Sequence, residues 1–220
     1  MIAIILKKCL EKRYPKYYVN IFDKNNFKLL IFFRINMEEL IYKVAIIGEI
    51  AVGKTTALAR FVSGRFVSDT RSTIGVDFSL KHLVFNLDDT NDVQTEITLQ
   101  IWDIAGESRF RELLPYYVTG IKGIILTFDS TSMKTLDSLH DWITVIGKHL
   151  NLDNMPLILI STKHDLDSNI DHDAVKTFCD KYVISDYFQT SSVSGKNIET
   201  VFRNLSELIL NPPDIKRELG

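Results

Sequence analysis

Gly48-Glu49-Ile50-Ala51-Val52-Gly53-Lys54-Thr55 lies between an apolar run, Tyr42 to Ile47, and a helical run, Thr56 to Val62. The octet fits G-x-x-x-x-G-K-[ST], the pattern of a loop that wraps phosphate. The chemistry needs this order. Successive backbone N–H groups point inward as an anion nest, and the start of the following helix adds partial positive charge. Lys54 reaches the outer phosphates, the Thr55 hydroxyl is placed to ligate Mg²⁺, and Gly48 to Thr56 as a whole is the expected phosphate cradle. By itself the octet indicates only a nucleoside triphosphate.

The base is read further along. The apolar run Leu157-Ile158-Leu159-Ile160-Ser161 ends in Thr162-Lys163-His164-Asp165. A carboxylate at Asp165 can accept from the guanine N1–H and exocyclic amine, a donor pair adenine lacks. Leaving such a buried partner unpaired costs about 1–3 kcal/mol per group, so selectivity follows. T-K-H-D resembles the [NT]-K-x-D guanine signature of small GTPases, with Thr162 in the form the Rho branch also uses. Ser72-Thr73-Ile74-Gly75-Val76-Asp77-Phe78 resembles a Rab-type first switch, and Trp102-Asp103-Ile104-Ala105-Gly106-Glu107-Ser108-Arg109-Phe110 the second. Thr190-Ser191-Ser192-Val193 is similar to the last base-contacting loop, usually T-S-A-K. From about Ile41 to Leu210 the chain therefore resembles a Ras-superfamily small GTPase, closest to the Rab branch.

That resemblance implies a GTP/GDP molecular switch that hydrolyses GTP, on a three-layer P-loop α/β sandwich. Thr73 would complete the Mg²⁺ shell and meet the γ-phosphate, Asp103 would hold the metal through water, and the Gly106 N–H would sense the γ-phosphate. Lys163 would cover one face of the base, and Ser191, Ser192 and Val193 would line its edge. Phe66, seven residues before Thr73, either meets the purine edge or simply anchors its loop. Phe78, Trp102 and Tyr117 match the aromatic triad through which Rab proteins meet effectors; core packing is the other reading, above all for Phe78.

Two departures bear on catalysis. Glu107 stands where the family places a water-orienting Gln. Gln both donates and accepts, whereas an ionised Glu only accepts, beside a strongly anionic γ-phosphate. Ile50 stands where the family has Gly or Ser, and its branched side chain would crowd the γ-phosphate and an incoming arginine finger. Slow hydrolysis, poorly responsive to such activators, is the expectation. A GTP-held binding scaffold with little turnover is the competing reading.

Apolar runs and helical patterns alternate after residue 41. Strands are expected near 42–47, 77–87, 94–102, 121–128, 156–161 and 184–189. Helices are expected near 53–63, 109–118, 133–150, 171–182 and 197–210. Alternation of this kind predicts a mostly parallel six-stranded sheet with one antiparallel edge strand and helices on both faces. Leu136, Leu139, Trp142, Ile143 and Ile146 show helical spacing and read as core. The acidic turn Asp88 to Asp92 reads first as a solvated tip and second as a partner site.

At 220 residues, 45% hydrophobic and 25% charged, the chain suits one domain with an appendage. A GTPase domain over 37–211 is expected, preceded by an extension over 1–36 and followed by a short tail, 212–220. Cys9 and Cys179 are the two cysteines, too few and too distant for a disulfide framework, which fits the cytosol. The net charge of −2 argues against bulk nucleic-acid binding, and a monomer is expected. Residues 1–36 carry eight Lys or Arg and two acidic residues, hence +6, leaving −8 for the remainder. This asymmetry suits weak peripheral contact with an anionic membrane surface. Tyr17–Ile21 and Phe27–Ile35 have the pattern of a hairpin across Asp23 to Asn26. The alternative is that translation starts at Met37, whose Met37-Glu38-Glu39-Leu40 resembles a usual lead into the first strand. No Cys follows Cys179, so no prenylation signal is read.

Overall fold

Val44 to Ile47 are all fully buried, and this run forms the inner half of a strand, β3 (Leu40–Ile47). Burial on both faces is what a parallel strand covered by helices on each side requires. The same holds for β6 (Ile121–Asp129) and β7 (Leu157–Thr162), whose residues are nearly all buried. In the computed structural model the described residues are 17–22, 28–33, 40–68, 73–86, 94–107 and 114–212.

The remaining strands are β1 (Tyr17–Phe22), β2 (Lys28–Phe33), β4 (Val76–Asn86), β5 (Gln94–Ile104) and β8 (Asp186–Gln189). The helices are α1 (Lys54–Ser63), α2 (Leu114–Tyr117), α3 (Lys134–Asp137), α4 (Leu139–Gly147), α5 (His172–Tyr182) and α6 (Ile198–Leu210). Six strands form one sheet in the order β4-β5-β3-β6-β7-β8. β3, β6, β7 and β8 run parallel, with Ile46 opposite Ile125, Leu126 opposite Leu159 and Ile160 opposite Phe188. Seven residues separate β4 from β5, too few for a parallel crossover, and this is the sheet's antiparallel pair. The fold is the expected α/β sandwich.

Contacts divide the described residues into two compact units. One draws on 1–42 and 81–99. It contains the hairpin β1–β2, in antiparallel register from Tyr17 opposite Phe33 to Phe22 opposite Lys28, and a bond between Thr98 Oγ1 and His82 Nδ1 at 2.8 Å. The other unit, 43–80 and 100–220, contains every residue of the candidate site. On one face of its sheet Ala45, Ile47, Leu126, Phe128 and Leu159 pack with Leu136, Leu139, Trp142, Ile143 and Ile146. Each Ile, Leu or Phe among them contributes about 1.5–3 kcal/mol by leaving water. Across the sheet, α1 and α6 meet through the stacked rings of Phe61 and Phe202, 4.0 Å apart. α6 lies so close to β6 that a Cβ on Gly123 would stand 2.7 Å from Leu205 Cδ1.

Two helix expectations are refined. The run 133–150 forms two helices, α3 and α4, and ends at Gly147. At the break the backbone ladder tightens: the Asp141 amide donates to the Ser138 carbonyl at 3.2 Å, nearer than the Trp142 amide at 3.4 Å. The expected helix at 109–118 is described as α2 alone, and Ser108, Arg109 and Phe110 lie outside the described residues. The turns Asp23–Asn26 and Asp88–Asp92, Ser72, Met37–Glu39 and 213–220 lie outside them too. Among the described residues no helix is long and apolar enough to cross a membrane.

Candidate functional site

The octet bridges the C-terminal end of β3 and the start of α1, at the strand-tip edge where open α/β sheets bind ligands. A Cβ on Gly48 would stand 2.1 Å from the Thr127 carbonyl oxygen, so the loop turns there only with glycine. Gly53 and Ala51 both adopt left-handed backbone, at φ 96° and 59°. Helix α1 opens on Gly53 with no side-chain cap and no acid in its first turn. By contrast α5 is capped by Asp171, which accepts from the Asp173 and Ala174 amides at 3.0 Å. An uncapped helix start without an acidic residue suits an anion. Lys54 is 5% exposed and donates to the carbonyls of Gly48 at 2.9 Å and Glu49 at 2.7 Å. Burial lowers its ammonium pKa to about 8, against the opposing pull of Asp103 and Glu49. A buried cation of depressed pKa, hydrogen-bonded to two neutral carbonyls, is a strong site for phosphate oxygens.

Beside it three oxygen side chains converge. Thr55 Oγ1 donates to Asp103 Oδ2 at 2.5 Å and lies 2.7 Å from Thr73 Oγ1, which is 3.2 Å from the same carboxylate oxygen. Asp103 Oδ1 is buried with no hydrogen-bond partner. Burial pushes the Asp103 pKa up, against hydrogen bonds from Thr55 and Thr73 and the charge of Lys54. An all-oxygen set with an orphaned carboxylate oxygen fits a hard divalent cation such as Mg²⁺. The segments around Thr73 and Asp103 meet here. The Ala105 amide donates to the Gly75 carbonyl at 2.9 Å. A Cβ on Gly106 would lie 2.2 Å from Glu49 C and Ile50 N, so only glycine allows this approach. Ile50, Ala51, Gly53, Lys54, Thr55, Thr56, Thr73, Gly106, Glu107 and Lys163 line a cleft of about 320 Å³. Ile50 is 54% exposed within that lining.

On the base side, Thr162 is buried and its Oγ1 bonds to the carbonyls of Val52 at 2.5 Å and Phe128 at 3.1 Å, tying the octet to two strand ends. Lys163 has φ 61° and its Nζ donates to Asp129 Oδ2 at 2.5 Å and the Ala51 carbonyl at 2.9 Å. Burial would raise the Asp129 pKa, but hydrogen bonds from Lys163 and Thr131 bring it below the usual carboxylate value. Asp165 is exposed and accepts from Ser191 Oγ at 2.6 Å. Ser192 is half-buried and Val193 is 49% exposed on the neighbouring loop. Phe66 is 43% exposed and lies outside the cleft lining.

Phe78 is 56% exposed, which removes the core reading for it. Its ring lies 6.0 Å from Trp102, and Trp102 lies 5.8 Å from Tyr117. Lys43 Nζ stands 3.9 Å over the Trp102 ring, and Ile74 and Tyr116 are strongly exposed. Sequence reasoning missed two site residues. Asp129 anchors Lys163, and its signal was a carboxylate ending an apolar strand. Trp142 donates its Nε1–H to Glu49 Oε1 at 3.2 Å, a contact across 93 positions that no local pattern announces.

A model of the Ras family matches residues 43–211. Ras-related protein Rab-27B of Homo sapiens is 31% identical over 177 residues, covering 78% of this chain and 81% of its own length. Ras-related protein Rab-32 of Homo sapiens is 36% identical over 177 residues, covering 78% and 76%. Ras-related protein Rab-32A of Dictyostelium discoideum is 34% identical over 189 residues, covering 81% and 82%.

Proposed function

The chain belongs to the Ras family of small GTPases, Rab-like in type, and from that premise we propose that it cycles between GTP and GDP and hydrolyses GTP slowly. Residues 37–211 act as the nucleotide-binding domain. Gly48 to Thr56 cradle the phosphates, Lys54 neutralises the outer ones, and Lys163 and Asp165 select guanine with Ser191 to Val193 at the base edge. Thr55, Thr73 and Asp103 fit Mg²⁺, the last through water. When bound, that ion supplies charge neutralisation at the β- and γ-phosphates. Thr73 and Gly106 read the γ-phosphate, so its loss frees the Gly75–Ala105 contact and changes the surface around Phe78, Trp102 and Tyr117. That aromatic face is the proposed effector and regulator surface.

The observation that carries the slow-turnover reading is Ile50, 54% exposed and lining one cleft with Lys54, Gly106 and Glu107. Its branched side chain occupies the approach an arginine finger needs, and such a finger supplies about 10³–10⁵ in rate. Glu107 lacks the N–H with which Gln would steer the γ-phosphate side of an attacking water. A GTP-held scaffold is the second reading, and the same two residues favour it. The positive segment 1–36 is the proposed site of weak peripheral contact with anionic membrane.

Single-turnover hydrolysis of Mg²⁺–GTP separates these readings. We expect slow decay in the wild type and faster decay in Glu107→Gln and Ile50→Gly. A wild-type rate that neither change raises overturns the slow-turnover proposal. GTP that persists in all three proteins supports the scaffold.

A further inference from the structure

The variable position of the guanine loop is filled by an imidazole, His164. Its backbone N–H donates to the Thr190 carbonyl at 3.1 Å. Its Nε2 lies 2.7 Å from Ser161 Oγ, which lies 2.8 Å from the Tyr187 hydroxyl. Ser161 is fully buried at the end of β7, and Tyr187 on β8 is stacked on Phe128, ring centroids 6.3 Å apart. β8 leads directly into Thr190 and Ser191. The two base-side loops are therefore joined through Thr190, whose amide and hydroxyl donate to the Ser161 carbonyl at 2.7 and 2.9 Å, at the tip by Ser191 and Asp165, and at the imidazole by His164, Ser161 and Tyr187. Asp165 is exposed, so its place depends on what holds the loop below it.

We propose that His164 is a positioning residue for guanine recognition: while neutral it holds Lys163 and Asp165 in place through Ser161 and Tyr187, and on protonation it loosens them and releases the nucleotide. This rests on the reading of the site as a guanine site. The three groups form a chain in which each hydroxyl has one proton to give. In one direction Tyr187 donates to Ser161 and Ser161 donates to Nε2; in the other the ring N–H starts the chain. An imidazolium has two N–H groups and no lone pair, so Nε2 can no longer accept from Ser161, whose proton must turn away from the ring. The Ser161–Tyr187 pair then has to rearrange its protons, with Gln189 as the other partner of the Tyr187 hydroxyl.

The charges facing the ring are Lys196 and His172, which disfavour its protonation, and Asp165, which favours it; Tyr187 is held neutral, its pKa raised by burial. Burial, with Lys196 next, keeps the His164 pKa below its ordinary 6.5. A lowered value means the proton prefers the loosened loop. The closed loop is thus fully favoured above the ordinary value and loses that advantage as pH falls through the lowered one.

The test is release of fluorescent GDP from the full chain with Mg²⁺ at about pH 7.5 and 5.5, either side of an ordinary imidazole. The wild type should release several-fold faster at the lower pH, by about tenfold for each unit separating the closed and loosened forms. His164→Gln keeps a group able to bond Ser161 but does not titrate, so the ratio of the two rates should drop several-fold. Tyr187→Phe keeps the stacked ring and cuts the chain at its other end, and should shrink the ratio as well. If His164→Gln and Tyr187→Phe both retain the wild-type ratio, the proposal is overturned. A wild type that binds no guanine nucleotide overturns instead the reading beneath it.

Discussion

Thr162→Val tests what holds the phosphate loop in place. Valine matches threonine in shape, so the buried packing around position 162 is kept and only the hydroxyl is lost. That hydroxyl has a single proton and two carbonyls within reach, Val52 at 2.5 Å and Phe128 at 3.1 Å, so the nearer one takes most of the bond. Thr162 is 2% exposed, and water cannot readily replace it. Leaving a buried carbonyl unpaired costs about 1–3 kcal/mol. For a domain of this size each kcal/mol moves the melting midpoint by about 2–4 °C. If the cost falls on the loop's binding conformation instead, nucleotide affinity drops by about 5- to 150-fold. Melting by circular dichroism and GDP affinity by fluorescence should therefore show a loss, divided between the two. Thr162→Asn, with two amide hydrogens, should restore it. A valine variant unchanged in both measurements would refute the idea that Thr162 tethers the octet.

Gly106→Ala forces a Cβ to within 2.2 Å of the Glu49 and Ile50 backbone, which cannot give way. We expect the GTP-over-GDP preference to fall by about tenfold or more, the worth of one charge-assisted hydrogen bond, in a competition assay; an unaltered preference contradicts it. Because burial holds Lys54 at about 8, phosphate binding should restore its proton above that pH. Calorimetry in two buffers at about pH 8.5 should register uptake of roughly three-quarters of a proton, and affinity should decline as pH rises further; no uptake means Lys54 is not the phosphate partner. Asp165→Ala should erase the preference for GTP over ATP, read by competition, whereas a retained preference would move base selection elsewhere.

The parts legible in the sequence were those with local cause. β3, β6 and β7 are written as unbroken apolar runs, and a phosphate loop needs its glycines in fixed order, as Gly48 and Gly53 show. Trp142 was read correctly as core from helical spacing, yet the same residue turns its one polar atom toward Glu49. Nothing in a periodic pattern says where an indole N–H points. The Lys163–Asp129 pair and the His164–Ser161–Tyr187 chain join neighbouring strands, and such contacts exist only once the sheet order is set. The break at Ser138 escapes for the opposite reason: it is a local tightening of the backbone ladder within a pattern that remains helical. For Phe78 the sequence leaves surface and core open, because an aromatic residue on an edge strand suits either, and only its exposure decides.

The chain has two tryptophans, and they touch different parts of the proposed switch. Trp142 is fully buried with its N–H on the phosphate loop, while Trp102 lies among Phe78, Tyr117 and the Lys43 ammonium. One indole is dry and hydrogen-bonded to a carboxylate; the other is stacked at a surface beneath a cation. Their emission spectra will differ, and each answers to a different event. Trp142 reports on filling of the loop, and Trp102 on rearrangement of the aromatic face. The unlabelled protein thus carries two optical channels, and replacing either ring by phenylalanine leaves one. Stopped-flow mixing with nucleotide would then time the arrival of phosphate separately from the change it causes some distance away.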